Sequence, residues 1–259
     1  MKHVRHRFRW MTSPQLLVGF VVTCLCVGAL GSVFRSVSAL SRMPYHSNEP
    51  AVKGATAPQS PDCAVLPCMA LTFDDGPHAM ITPRVLDILA QQDVKATFFI
   101  VGNRVAGREQ LVKRAYRDGH EVGNHSWSHP DLRTLSPADV ELQLRLSQAA
   151  IAGAGVPAPR VFRPPYGAVD HMVQGHVNMT IVRWNIDPED WKVKDAAEIQ
   201  RKMLLYARPG GIILMHDTDP ATADALGPAL QALKTQYQFV TVSQLLRLSP
   251  GDQGQYFGR

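Results

Sequence analysis

Apolar residues fall unevenly along this chain. From residue 68 onward they gather into short runs separated by amphipathic stretches. The runs at 68–73, 96–101, 120–123, 160–163, 180–184, 211–216 and 238–242 are rich in Val, Ile, Phe and Met and read as buried strands. Between them, residues 82–92, 103–117, 137–152, 195–207 and 222–236 carry apolar positions at helical spacing. Thr82-Pro83 and Ser136-Pro137 each supply a capping side chain followed by a proline, and Gly119 offers a helix stop. Strands alternating with helices predict a parallel α/β sheet with helices outside it. About seven strands, with polar residues at their C-terminal ends, fit a (β/α) barrel.

The N-terminal region follows another pattern. Residues 15–34 form a mostly apolar run without charge, about long enough to cross the hydrocarbon core of a bilayer. Lys2, Arg5, Arg7 and Arg9 precede it and Arg35 and Arg42 follow, a bias that puts the N-terminus in the cytoplasm and the remainder outside. Two readings stand for 1–43: an uncleaved membrane anchor, favoured by the length of the run, and a signal peptide cleaved after Ala39. Either predicts export. Residues 44–67, with four of their prolines at 44, 50, 58 and 61, read as a linker; 68–248 as the catalytic domain; 249–259 as a loose tail.

Charge changes the picture little. The chain's net +5 lies in residues 1–43, which hold six of the 27 basic residues and none of the acidic ones. The remainder is one negative charge from neutral, so it has no basic footprint for a nucleic-acid backbone. Cys24 and Cys26 sit in the apolar run as small hydrophobes, in a poor lipidation context. Cys63 and Cys68 are the only cysteines in the exported part: a local disulfide and a reduced, buried pair are both open.

The chemistry-bearing residues cluster at the ends of the strand-like runs. Asp74 and Asp75 end the first, followed by a Gly76-Pro77 turn that lets both carboxylates reach one site. His125 and His129, four apart, would share one face of a helical turn and bind one ion. A carboxylate added to them makes a 2-His-1-carboxylate set, suited to hydrolytic Zn²⁺ or to non-haem Fe²⁺. Arg163-Pro164-Pro165-Tyr166-Gly167, Asp187-Pro188-Glu189-Asp190-Trp191 and the Leu214-Met215-His216 end of an apolar run add a cation, further acids and another histidine. These have work in hydrolysis and none in oxygen chemistry.

Together, Thr72-Phe73-Asp74-Asp75-Gly76-Pro77, His125-Ser126-Trp127-Ser128-His129 and those three stretches resemble the five ordered motifs of the polysaccharide deacetylase (NodB-homology) family of carbohydrate esterases. The resemblance runs from about Cys68 to Leu248, and Thr241-Val242-Ser243 is similar to the family's closing segment. It implies a distorted, incomplete (β/α) barrel. It also implies that Asp75, His125 and His129 hold one divalent metal, most often Zn²⁺, with Co²⁺ or another divalent ion as substitutes. By the same resemblance Asp74 is the general base, kept ionised and oriented by Arg163; His216 is the general acid, held by Asp190. The Tyr166 backbone N–H helps to stabilise the oxyanion, and Trp191 and Leu214 wall the acetyl pocket. The implied activity is N-deacetylation of GlcNAc residues in an envelope or extracellular polysaccharide, peptidoglycan first and chitin-like oligosaccharide next. O-acetyl esterase action on xylan and a non-catalytic carbohydrate-binding domain are the alternatives.

Overall fold

The computed structural model describes residues 61–259. The expected anchor or signal segment at 1–43, Cys24 and Cys26 within it, and most of the 44–67 linker lie outside the described residues. Among the described residues no helix is long and apolar enough to cross a membrane. Cys63 and Cys68 are joined by a disulfide that ties the incoming chain to the first strand.

Seven parallel strands occupy the places that the apolar runs predict: β1 (Cys68–Asp74), β2 (Thr97–Ile100), β3 (Glu121–Asn124), β4 (Val161–Phe162), β5 (Thr180–Val182), β6 (Ile212–His216) and β7 (Gln238–Val240). Helices α1 (Ile81–Gln92), α2 (Glu109–Arg117), α3 (Pro137–Gly153), α4 (His171–Gly175), α5 (Ala196–Tyr206), α6 (Pro220–Leu233) and α7 (Val242–Leu246) connect or follow them. Strands β6, β1, β2, β3, β4 and β5 lie side by side in that order, and β7 pairs β1 below β2, over Cys68–Ala70. A single parallel bridge, Ile186 to Ile213, links the chain after β5 back to β6. The result is a (β/α) barrel, as the strand pattern predicts, and an incomplete one, as the resemblance implies.

Strand β1 is buried along its whole length, which explains its apolar character on both faces. Met69, Leu71 and Phe73 pack outward against α1 and α6 (Val85, Leu86, Leu89, Leu226 and Leu230). The alternate residues Cys68 and Ala70 face inward with Phe99, Val161, Val182 and Ile212. By the same alternation Thr72 and Asp74 face the barrel interior, which places Asp74 at its mouth.

Four local expectations are corrected. Residues 249–259 are not a loose tail: β8 (Gln255–Tyr256) extends the sheet by pairing with β5, and the Arg259 N–H donates to the Gly210 carbonyl at 2.9 Å. The outer edge of β5 needs partners for its backbone groups, and a two-residue strand is too short to show a period. Thr82 does not cap α1, which starts one residue earlier at Ile81; its hydroxyl accepts from the His78 N–H and donates to Asp217. Residues 103–117 are not one helix, since a 3-10 turn (Gly102–Arg104) precedes α2. Strand β7 stops at Val240, because Thr241 and Gln244 form a capping box that starts α7. Ser136 does cap α3, accepting from the Asp139 N–H at 3.2 Å.

Candidate active site

The backbone turns abruptly at Asp75. Its left-handed φ of 73° brings its carboxylate to the barrel mouth beside that of Asp74, where a continued strand would send it to the opposite face. Gly76 permits the next step: a Cβ there would collide with the carboxylate of Asp217.

His125 and His129 follow β3, and the segment carrying them is not helical. Ser126 and His129 both have left-handed φ, 65° and 61°, so the imidazoles converge from a bend rather than from one face of a helix. Side chains hold this bend. Ser126 N–H donates to Asn124 Oδ1 at 2.8 Å, His129 N–H to Ser126 Oγ at 3.0 Å, and the Trp127 and Ser128 N–H groups share Gln143 Oε1. Short polar residues compete with helix hydrogen bonding in this way.

His125 Nδ1–H donates to the Arg163 carbonyl at 2.6 Å, which leaves the Nε2 lone pair free. That Nε2 lies 3.7 Å from Asp75 Oδ1, and His129 Nε2 lies 3.3 Å from the same oxygen. Asp75 Oδ1 is buried and has no hydrogen-bond partner. The three donor atoms lie within 4.8 Å of one another. Burial, then the neighbouring His125, lowers the His129 pKa and favours the neutral, ligating imidazole. An orphaned carboxylate oxygen facing two imidazole nitrogens is a donor set that fits a divalent cation.

Behind this set Arg163 is wholly buried. Its Nη1 donates to Asp74 Oδ1 at 2.8 Å and to Thr72 Oγ1 at 2.7 Å, Nε to the Val182 carbonyl, and Nη2 to the Arg183 carbonyl. The guanidinium lies 4.2 Å from the centre of the Phe99 ring. Burial pulls its pKa below the ordinary value, opposed by the charge and hydrogen bond of Asp74. The Thr72 hydroxyl donates to the Ile213 carbonyl, so its oxygen is oriented to receive Arg163.

A second carboxylate-to-base pair stands at the end of β6. Asp190 is fully buried; its Oδ1 accepts from His216 Nδ1 at 2.8 Å, and its Oδ2 accepts from the His216 backbone and the Thr222 hydroxyl, both at 2.7 Å. His216 therefore presents Nε2 to the cavity. Burial disfavours its charged form, but the Asp190 hydrogen bond and the charges of Asp190, Asp74 and Asp75 outweigh that, and its pKa rises to about 9.

Asp74, Asp75, His125, His129, Tyr166, Trp191, Leu214 and His216 line one cavity of about 570 Å³, with Arg163 and Asp190 buried against it. All ten residues singled out in the sequence are thus brought together. Tyr166 sits in a 3-10 turn (Pro165–Gly167) with left-handed φ, its ring edge-on to His129 at 4.7 Å. Half-exposed Trp191 and buried Leu214 form apolar wall. Sequence reasoning gave Thr72 no role within its motif and missed Thr222 and Trp184, which orient or line the site, because an isolated Thr or Trp carries no pattern. It also missed Asp217. Buried beneath Gly76, Asp217 accepts from Thr82 at 2.5 Å, and burial raises its pKa to about 7. Its position directly after His216 was the one available signal.

Comparison with known proteins places the chain among deacetylases. A family model described as polysaccharide deacetylase matches residues 63–181. The chain is 43% identical over 189 residues to the peptidoglycan-N-acetylglucosamine deacetylase PgdA of Listeria monocytogenes, covering 73% of this chain and 41% of that protein. It is 40% identical over 188 residues to a chitooligosaccharide deacetylase of Sinorhizobium fredii, covering 71% and 85%. Among solved structures it is similar to the T48 deacetylase with substrate: TM-score 0.73, 36% identity, 76% of this chain and all of that one. The chain thus spans about two-fifths of the length of the Listeria protein.

Proposed function

The chain belongs to the polysaccharide deacetylase family, and on that premise we propose that it is a metal-dependent hydrolase removing N-acetyl groups from GlcNAc residues of an exported polymer, peptidoglycan first. The observation that carries the reading is that two hydrogen-bonded acid–base pairs, Asp74 with Arg163 and His216 with Asp190, flank the Asp75–His125–His129 donor set in one cavity.

Asp75, His125 and His129 would hold the ion, Zn²⁺ by preference for this donor set. A bound divalent ion supplies a lowered pKa for water and a Lewis acid for the carbonyl. Asp74, whose Oδ1 is occupied by Arg163, accepts the attacking water's proton on Oδ2. As the C–O bond forms, the Tyr166 N–H contributes to oxyanion stabilisation, an effect whose loss typically costs about 2.7–4 kcal/mol. His216, protonated at neutral pH, gives its proton to the amine nitrogen as the C–N bond breaks. Acetate and a free amino sugar result. Trp191 and Leu214 enclose the methyl group and keep water from the far side of the carbonyl.

A non-catalytic carbohydrate-binding domain would have no use for both acid–base pairs. The Cys63–Cys68 disulfide suits an oxidising compartment, in keeping with export, and the 15–34 run supports an anchor that holds the domain at the envelope. The test is acetate release from peptidoglycan, N-acetylchitooligosaccharides and acetylxylan under identical conditions. The reading expects free amine to appear with acetate from one or both N-acetylated polymers. Release from acetylxylan alone would make the protein an O-acetyl esterase instead.

A further inference from the structure

A second cavity of about 280 Å³ adjoins the catalytic one, and the two share Asp75 and Thr218 in their linings. Its remaining lining is Pro77, His78, Arg104 and Arg108. Nothing in the hydrolytic chemistry employs these basic side chains.

Neither arginine forms an ion pair with a carboxylate among the described residues. Arg104 Nη1 donates to the Asp75 carbonyl, and Arg108 Nη1 to the Arg104 carbonyl at 3.2 Å. Arg108 Nε is buried without any hydrogen-bond partner. Many other cations of the domain are paired: Arg114 with Asp87 and Asp118, Arg201 with Glu198, and Lys194, across the catalytic cavity, with Asp219. His78 Nδ1 accepts from the Met80 and Ile81 N–H groups, each at 3.2 Å, so its proton sits on Nε2 as a further donor. The one acid in the lining, Asp75, has its Oδ1 turned to the two histidines. The notch therefore offers two unpaired guanidinium groups, an imidazole N–H and a threonine hydroxyl, all suited to an anion.

Because this notch opens beside the catalytic cavity, its anion would belong to the same polymer chain as the acetamide being cleaved. A polymer of GlcNAc alone carries no anion. An alternating polymer whose second sugar bears a lactyl ether carries a carboxyl group there, free or extended into a peptide with carboxylates of its own. Resting on the deacetylase reading above, we propose that Arg108, with Arg104 and His78, forms a subsite for a carboxylate on the sugar next to the one deacetylated. The site selects lactyl-bearing glycan over chitin-type chains.

The test uses the full, metal-loaded chain and three tetrasaccharides of matched length: an N-acetylchitotetraose, an alternating glycan with free lactyl carboxylates, and the same glycan with peptides attached. A fourth substrate carries methyl-esterified lactyl groups. The wild type is expected to favour a carboxylate chain over the neutral and esterified ones through KM, less so as salt rises. Preference for the free lactyl chain identifies that carboxylate as the ligand; preference confined to the peptide-bearing chain identifies the peptide's. Arg108→Gln is expected to lower the ratio of kcat/KM between charged and neutral chains about tenfold, and Arg108→Lys to restore part of it. Arg104 is left intact because it also holds the Asp75 carbonyl. A wild-type ratio no higher for carboxylate than for ester chains overturns the proposal, as does an Arg108→Gln ratio within about twofold of wild type. If no chain releases acetate, the deacetylase reading fails separately, and calorimetric Kd values for the same four glycans read the carboxylate preference directly.

Discussion

Asp190→Asn changes one atom and should displace the working pH range of the whole site. In the folded protein His216 has a pKa of about 9 against an ordinary 6.5, although burial alone would push it down. The hydrogen bond and charge of Asp190 are the leading causes of the rise, and an amide supplies neither the charge nor the same acceptor strength. In the variant, His216 should titrate near or below 6.5. At pH 8 its protonated fraction would fall from about 0.9 to about 0.03, a loss of about 30-fold in the form able to protonate an amine. The assay is acetate release by the metal-loaded protein from pH 6 to 10, with His216 titrated independently by NMR. The alkaline limb of kcat should move down by about two pH units or more. Stability should move with it. A raised histidine pKa contributes stability that is fully present below about 6.5 and lost as pH rises through about 9, worth about 3 kcal/mol here. Wild-type denaturation should show that loss on the alkaline side, and Asp190→Asn should not. An unmoved limb with an unmoved NMR titration would refute the assignment of Asp190 as the group that keeps His216 charged.

Two further outcomes follow from the geometry. His125→Ala should abolish stoichiometric Zn²⁺ binding while circular dichroism stays native, since it removes a ligand of the donor set; undiminished metal would sink the ligand assignment. Arg163→Met should destabilise the domain by about 3–5 kcal/mol in urea unfolding, because Asp74 would be left buried without its cation, and a change under about 1 kcal/mol would contradict the buried pair.

The fold was legible where one physical cause dominated. β1 reads as a central strand because both its faces are buried, and Asp74 falls at its end for the same reason. The spacing of His125 and His129 identified a convergent pair but suggested the wrong local structure: a bend with two left-handed residues also brings positions four apart together. What decides between bend and helix is remote in sequence, since Gln143 on α3 ties down the turn. Thr82 was misread likewise, because its partner Asp217 lies 135 residues away. The tail strand β8 and the Arg104–Arg108 notch depend wholly on tertiary neighbours and left no period to read. The motif residues were legible because each ends an apolar run; their supporting threonines were not.

The proposed reaction is hydrolysis of N-acetyl groups with the help of a divalent ion held by Asp75, His125 and His129. It is tested most directly by stripping the protein with chelator, returning Zn²⁺ in measured steps, and following acetate and free amine from peptidoglycan and N-acetylchitooligosaccharide. The stripped protein is expected to show no turnover, and acetate and amine to rise together until one ion per chain is bound. Acetate release that persists undiminished after metal removal, or none from either polymer at full metal occupancy, would contradict it.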